Sequence, residues 1–431
     1  MKRIALVNVH CDPLEQLGSA EAGGQNVYVF HLAKALGKLG YQVDVFSRLN
    51  SRLKKERVRL TKHVQFIRLH AGHRHFIPKN KLGPLLPEFI SNFLAWQKQE
   101  KADYCLLHSH YWEAGWVTMQ LKYILRRPQA HTFHSLGIMR YNALKDFREQ
   151  SLNTKEIKHR ISVEKEITEK ADRIISTSPY EREYLGKHYG ANPDHIRVVP
   201  CGVDLIRFRP IDRCDARKKI HADEKEKIIL YTGRVEWRKG IGTLVIAVAK
   251  LFKHHPELRE KTKLYIVGGN LSRRAEPEVR DEIRRLKDVC REYKIRNRVE
   301  FTGAVQQEKL HYYYSAANVC VIPSYYEPFG MVPLEAMACK VPVIASDTGG
   351  LPYTVRDGKS GILVPVRNPD AIANQINKLL TDKKFSEKLI RGGRELVKST
   401  FSWKIIAKQV AHSYERVLEK FKTQKNRLLN K

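Results

Sequence analysis

Short apolar runs of strand type alternate with amphipathic helical stretches along nearly the whole chain, and the alternation lapses once, at residues 204–227, before it restarts. Repeated strand–helix alternation lays each strand parallel to its neighbour with helices on both faces, which restricts the chain to open, mostly parallel α/β sheets. The lapse is rich in Pro, Asp, Arg and Lys and reads as an interdomain linker, so two such sheets are expected. A length of 431 residues agrees, being too long for one ordinary core.

The first half predicts strands at 2–9, 41–46, 64–69, 104–107, 130–133, 173–177 and 195–199, with helices at 26–39, 83–97, 114–125, 154–170 and 180–188. Between the second and third strands lies a basic segment around Arg52 to Arg59. The second half predicts strands at 228–232, 263–267, 299–301, 319–323, 343–345 and 362–364, and helices at 240–254, 276–293, 307–316, 334–338, 368–381, 384–398 and 402–422. The expected organisation is a Rossmann-like domain at 1–205, a second Rossmann-like domain at 206–401, and a C-terminal helix with a basic tail at 402–431 that returns to the first domain. Two doubly wound α/β domains facing across a cleft are therefore the predicted fold class, with ligands at the carboxyl ends of the strands.

Composition narrows the function classes. No apolar run approaches the roughly twenty residues that span a bilayer, and the N-terminus enters a strand at once without a signal-peptide pattern, so a cytoplasmic protein is expected. Seven scattered cysteines contain no Cys-x-x-Cys, which argues against a zinc site or a disulfide framework. The formal net charge of +32 attracts nucleic acid, anionic membrane surfaces and phosphorylated small molecules alike. No aromatic-interleaved RNA-binding motif accompanies the charge, so no nucleic-acid partner is expected. Peripheral association with an anionic membrane remains a candidate partnership.

The stretch Glu327-Pro-Phe-Gly-Met-Val-Pro-Leu-Glu335 follows an apolar strand and precedes a helix, with Gly330 at the turn. A helix that starts there aims the backbone N–H groups of Gly330, Met331 and Val332 at an anion such as a diphosphate. Glu327 and Glu335 then stand on either side of that anion, where each accepts hydrogen bonds from hydroxyl groups. A nucleotide sugar carries hydroxyls on both sides of its diphosphate. The bland alternative is one solvated glutamate and one favoured by the helix dipole.

Other polar groups stand at predicted strand ends. Arg234 and Lys239 lie in the loop after strand 228–232, where they clamp phosphate oxygens and stabilise a departing diphosphate; Arg238 between them is expected to face solvent. Gly23-Gly24 opens the first helix and permits close approach of a ligand. His108-Ser-His-Tyr-Trp112 and His131-Thr-Phe-His134-Ser135-Leu-Gly137 follow two further strands. There is no His-Glu-x-x-His and no Asp-x-Asp, so no metal site is expected and cationic side chains and helix dipoles must neutralise the diphosphate.

Together, the two spaced glutamates, the Gly-Arg-(four residues)-Lys loop, Gly23-Gly24 and His131 to His134 resemble the retaining glycosyltransferases of family 4, with the GT-B fold. The resemblance runs over nearly all of the chain. It is closest to the branch containing sucrose-phosphate synthases and the inositol-phosphate N-acetylglucosaminyltransferase of mycothiol synthesis, through Gly23-Gly-Gln-Asn-Val-Tyr-Val29, His108 to Trp112 and His134 to Gly137. It implies that Arg234 and Lys239 hold the donor diphosphate with the amides of Gly330, Met331 and Val332. It also implies that Glu335 binds the donor ribose, Glu327 the sugar hydroxyls, Gly24 the donor phosphate, and His134 the reacting sugar.

For the acceptor, the resemblance implies a phosphate held by Lys79, Tyr111, Ser135, Arg140 and Arg160 with Gln25 beside them. Gln25 and Glu327-Pro-Phe-Gly330 lean toward sucrose-phosphate synthase, Arg140 replaces the Lys usual there, and Glu21 replaces an Asp usual before Gly-Gly. The expected activity is metal-independent transfer of glucose, with retention, from UDP-glucose to fructose 6-phosphate, with no cofactor and no attached phosphatase domain. The alternatives are transfer from UDP-N-acetylglucosamine or GDP-mannose to an inositol phosphate or a phosphorylated membrane glycolipid, and a non-catalytic nucleotide-sugar or polyanion-binding protein.

Overall fold

The computed structural model describes residues 1–15, 23–145, 154–272 and 275–429. Glu21 lies outside them. The described residues form two compact units: those before Gly202 together with the helix Trp403–Leu429, and those of Gly202–Ser402.

The sheet of the first unit contains β1 (Arg3–Val7), β2 (Gln42–Arg48), β3 (Arg57–Thr61), β4 (Val64–Leu69), β5 (Leu106–His110), β6 (Gln129–Thr132), β7 (Arg173–Ser176) and β8 (Ile196–Val198), in the order β3-β4-β2-β1-β5-β6-β7-β8. All pairs are parallel except β3 on β4. Helices cover both faces, so the central strands are buried along nearly their whole length, as parallel sheets require. Phe46, Phe93, Tyr104 and Leu107 fill one side of the core. Strand β3 overlaps the basic segment around Arg52 to Arg59, where the sequence predicts no strand. Its alternation of exposed Arg57, Arg59 and Thr61 with half-buried Val58 and Leu60 instead makes it an antiparallel edge strand, and its charged face discourages edge-to-edge pairing.

The second unit carries β9 (Lys227–Thr232), β10 (Thr262–Val267), β11 (Val299–Gly303), β12 (Val319–Ile322), β13 (Val343–Ser346) and β14 (Ile362–Val364), ordered β11-β10-β9-β12-β13-β14 and all parallel. Ile229, Leu244, Val248, Ile266, Val319, Ile344 and Ile376 belong to its core. In both sheets the strand order reverses beside the first strand, between β1 and β5 and between β9 and β12. Ligand crevices form at the carboxyl ends of strands at such reversals.

Three local readings change. Residues 204–227 are not all linker: Arg213–Lys219 is a helix, capped by Asp212, whose buried Arg217 donates to the carbonyls of Ala316 and Glu224 and to Asn318 Oδ1. Its basic composition concealed a helix held by polar rather than apolar contacts. Gly137–Lys145 is a further helix that the pattern did not signal. The fifth strand sits later than expected, at Leu106–His110, so His108, Ser109 and His110 lie within it rather than after it. These polar groups are buried in the sheet because they bond to Thr132, Tyr414, His131 and His134, which an apolar pattern cannot reveal.

The helix Trp403–Leu429 packs on the helix Gly24–Lys38 of the first unit. Trp403 meets the Tyr28 ring edge-on at 5.4 Å and stacks on His31 at 5.6 Å, and Tyr414 OH lies 2.6 Å from His108 Nδ1. No helix among the described residues is long and apolar enough to cross a membrane.

Candidate active site

In the second unit, β9 leads into Gly233-Arg234 and a short turn Trp237–Lys239, while β12 leads through Ser324 to Glu327 and Gly330. These two loops flank the reversal of strand order and touch. Gly240 has φ +65°, and a Cβ there would lie 2.0 Å from Pro323 O, so the close approach needs glycine. Tyr325 N donates to Arg238 O at 2.8 Å across the same junction. Lys239 Nζ is thereby brought to 2.5 Å from Glu327 Oε2, both side chains largely buried. Burial pushes the Lys239 ammonium below its usual value, with Glu327 opposing. It pushes the Glu327 carboxyl up, but Lys239 and Arg238 outweigh that and hold it below the usual range.

Arg234 and Arg238 share one acid. Arg234 Nε lies 2.8 Å from Glu236 Oε1 and Arg238 Nε 2.7 Å from Glu236 Oε2. Burial raises the Glu236 carboxyl, but Arg238, Arg234 and Lys239 together bring it down to about 2. The expectation that Arg238 faces solvent is corrected: its side chain is 24% exposed and it also donates to Tyr326 O. Arg234 is the more exposed of the two, at 53%. Three cations therefore converge with two carboxylates, a surplus of positive charge suited to an anion.

Gly330, with φ +97°, precedes the helix Met331–Ala338 as the spacing required, and Met331 and Val332 open that helix. Glu335 is buried one turn in, where Tyr314 OH donates to its Oε2 at 2.7 Å and itself lies 2.8 Å from Thr232 Oγ1. Burial pushes its carboxyl up to about 7, with Tyr314 and Arg207 pulling the other way. Glu327 is thus held ionised while Glu335 titrates near neutrality.

In the first unit the site residues gather at the carboxyl ends of β1, β5 and β6. Gly24 begins the helix Gly24–Lys38, and Asn26 binds that start to the loop after β1 by accepting from Gly23 N and donating to Asp12 O. Gln25 Nε2 donates to Asn8 Oδ1 at 2.5 Å and approaches His110 O at 3.4 Å. His134, with φ +61°, lies 3.1 Å through Nε2 from His110 Nδ1, and Tyr28 packs edge-on against it at 4.8 Å. His108 Nε2 meets Thr132 Oγ1 at 3.0 Å and Ser109 Oγ meets His131 Nδ1 at 2.8 Å. Burial drives His108 and His134 down to about 3, and His110 and His131 well below their usual value.

Tyr111 is the centre of the expected acceptor cluster. The Arg160 guanidinium lies 4.6 Å from its ring centroid and donates through Nη1 to its hydroxyl at 2.7 Å, while Lys79 Nζ lies 5.8 Å from the same ring. Arg160 Nη2 donates to Ser135 O, which joins Ser135 to the cluster. Arg140 is exposed on the helix Gly137–Lys145. The Arg160 charge has a buried partner: Nε lies 2.7 Å from Oε1 of Glu164, a fully buried acid that also accepts from Gly137 N and Tyr189 OH. Arg160 thus braces the cluster as much as it charges it. Glu164, Tyr314, Glu236, His10 and Glu113 did not stand out in the sequence. The four-residue spacing of Arg160 and Glu164 was the only local signal for any of them.

Among the described residues no group of three or more His, Cys, Asp or Glu side chains is placed to hold a metal ion. The family model described as Glycosyltransferase Family 4 matches residues 22–207, and that described as Glycosyl transferases group 1 matches residues 212–396. The D-inositol 3-phosphate glycosyltransferase of Streptomyces bingchenggensis is 35% identical over 424 residues, covering 98% of this chain and 90% of that protein. The protein of the same name from Corynebacterium jeikeium is 36% identical over 88% of each chain. The structure of a sucrose-phosphate synthase from Thermosynechococcus elongatus superposes with a TM-score of 0.86 at 40% identity, over 97% of this chain and 100% of that one. HepE of Anabaena, solved with UDP-glucose, shares the fold at a TM-score of 0.73 and 19% identity, over 96% of this chain and 100% of that one. Matched along almost its whole length, the chain belongs to the family 4 glycosyltransferases and has the GT-B fold.

Proposed function

We propose that this glycosyltransferase moves glucose from UDP-glucose to a phosphorylated sugar, most concretely fructose 6-phosphate, with retention of configuration and without a metal ion. The observation that carries the donor half is the convergence of Lys239, Arg234 and Arg238 beside the helix that starts after Gly330. In the proposed roles, Lys239 and Arg234 hold the diphosphate with the amides of Gly330, Met331 and Val332, and stabilise it as it departs. Glu327 accepts from the sugar hydroxyls and Glu335 from the ribose. Gly24 admits the donor phosphate, and His134 contacts the reacting sugar. The leaving diphosphate oxygen takes the acceptor proton, which accords with the neutral, deeply buried histidines.

For the acceptor, Lys79, Arg140 and Arg160 supply positive charge around Tyr111, Ser135 and Gln25, a combination that suits a phosphate monoester. The 40% identity to a sucrose-phosphate synthase supports fructose 6-phosphate. A second reading, transfer from UDP-N-acetylglucosamine or GDP-mannose to an inositol phosphate, draws its support from the names of the relatives at 33–36% identity. Both readings share the phosphorylated acceptor. Incubating the enzyme with each donor and acceptor pair and assigning the product by NMR separates them. An α-glucosyl product on fructose 6-phosphate is expected; a β-linkage, or transfer only to inositol phosphate, rejects the first reading.

A further inference from the structure

The loop after β1 and the start of the helix Trp112–Leu125 place a buried acid–imidazole pair behind the Tyr111 ring. His10 Nδ1 lies 3.4 Å from Glu113 Oε2, with the two side chains 5% and 0% exposed. Among the described residues no hydrogen bond satisfies either oxygen of Glu113, and the ion-pair contact with His10 helps to compensate its burial. The His10 ring meets the Tyr111 ring edge-on at a centroid distance of 4.8 Å.

Tyr111 needs such support. Its backbone has φ +75° and ψ +164°, a region occupied almost solely by glycine, in which other residues are strained and persist only where their surroundings enforce it. Arg160 covers one part of the ring and holds the hydroxyl; His10 packs against another. The backbone is held as well, Tyr111 N donating to Thr132 O at 2.9 Å and Tyr111 O accepting from Gly115 N at 2.9 Å. Burial disfavours the His10 imidazolium, but Glu113 and Cys11 more than offset this and raise it well above its usual value.

We infer that Glu113, acting through His10, is a positioning residue that fixes the Tyr111 ring for the acceptor. This rests on the acceptor role proposed above for Tyr111. The contact with Glu113 holds the His10 ring in place, and His10 sets the angle of the ring that Arg160 and Lys79 share. Losing the carboxylate should loosen the acceptor end and leave the diphosphate clamp of Lys239 and Arg234, in the other unit, untouched.

The test is a double-variant cycle on the full-length enzyme with Glu113→Gln, His10→Gln and both, measuring the KM for fructose 6-phosphate, acceptor-independent hydrolysis of UDP-glucose, and thermal stability. Glu113→Gln is expected to raise the acceptor KM on the order of tenfold with donor hydrolysis unchanged, and to add almost nothing in the His10→Gln background. Independent, multiplicative effects would overturn the coupling, and so would an unchanged acceptor KM. Loss of donor hydrolysis in step with a collapse of thermal stability would overturn it too, assigning Glu113 to the fold. A wild-type enzyme with no saturable response to any phosphorylated sugar would reject the acceptor reading first, and this inference with it.

Discussion

Lys239 Nζ sits 2.5 Å from Glu327 Oε2, and the two residues stand in the loops that follow the adjacent strands β9 and β12. The cation is thus already oriented before any ligand arrives. A charge fixed in advance stabilises developing negative charge more effectively than one that must reorganise. Lys239→Ala is expected to lower turnover by about 10² to 10³ with little change in thermal stability, because Arg238 remains to balance Glu327. Steady-state release of UDP measures this, and near-normal turnover rejects the role.

Glu335 offers a second test, in which function and stability move in opposite directions. Its carboxyl is raised from 4.5 to about 7, so the folded protein keeps a proton that the unfolded chain loses. The stability contributed by the neutral form is complete below pH 4.5 and falls as pH rises toward 7. Glu335→Gln removes that penalty and keeps the acceptor for Tyr314 OH. It should therefore stabilise the protein at pH 8 by roughly 1–3 kcal/mol while weakening donor binding. Denaturant melts at pH 5 and pH 8 read the difference; an equal effect at both would contradict the assignment.

The buried histidines of β5 and β6, with the half-buried His134 that follows, give an acid limit. His108, His110, His131 and His134 all have values below 6.5, so they are neutral in the fold when the unfolded chain takes up protons. No penalty exists above pH 6.5; below it each costs about 1.4 kcal/mol per pH unit until its folded value is reached. His10, raised by Glu113, acts in the opposite sense and contributes stability that is lost only as pH rises through its folded value. Unfolding free energy is expected to drop steeply between pH 6 and 5, and a flat profile there would show that the cluster is hydrated.

How much of this was legible in the sequence depended on whether a residue's partner lay nearby in the chain. Strands such as 64–69 and 362–364, and the helix start after Gly330, follow from local periodicity and one glycine, and they stand where expected. The pairing of Lys239 with Glu327 spans 88 residues, so a pattern could nominate both but not join them. The apolar pattern ends before His108, Ser109 and His110, which look like loop, whereas in the fold they bond to Thr132, Tyr414, His131 and His134 and extend β5. Arg238 is expected from the sequence to face solvent, and Arg217 falls within the expected linker, because acceptors such as Tyr326 O and Ala316 O come within reach only in the folded chain.

Arg160 illustrates the cost of buried charge. Removing it leaves Glu164 fully buried without its cation, so Arg160→Ala is expected to destabilise the protein by roughly 3–5 kcal/mol. Pairing Arg160→Met with Glu164→Gln removes both charges and should recover most of that loss. In this double variant the KM for phosphorylated acceptor should remain high while slow donor hydrolysis persists. Equal loss of both activities would assign Arg160 to the fold alone.

The most direct measurement is the release of UDP from UDP-glucose with and without fructose 6-phosphate, in buffer containing EDTA. The expected result is release strongly dependent on the acceptor, undiminished by the chelator, and lowered by about 10² to 10³ in Lys239→Ala. Release that requires an added divalent cation, or that is indifferent to any phosphorylated acceptor, would contradict a metal-independent transfer from a diphosphate held by Lys239.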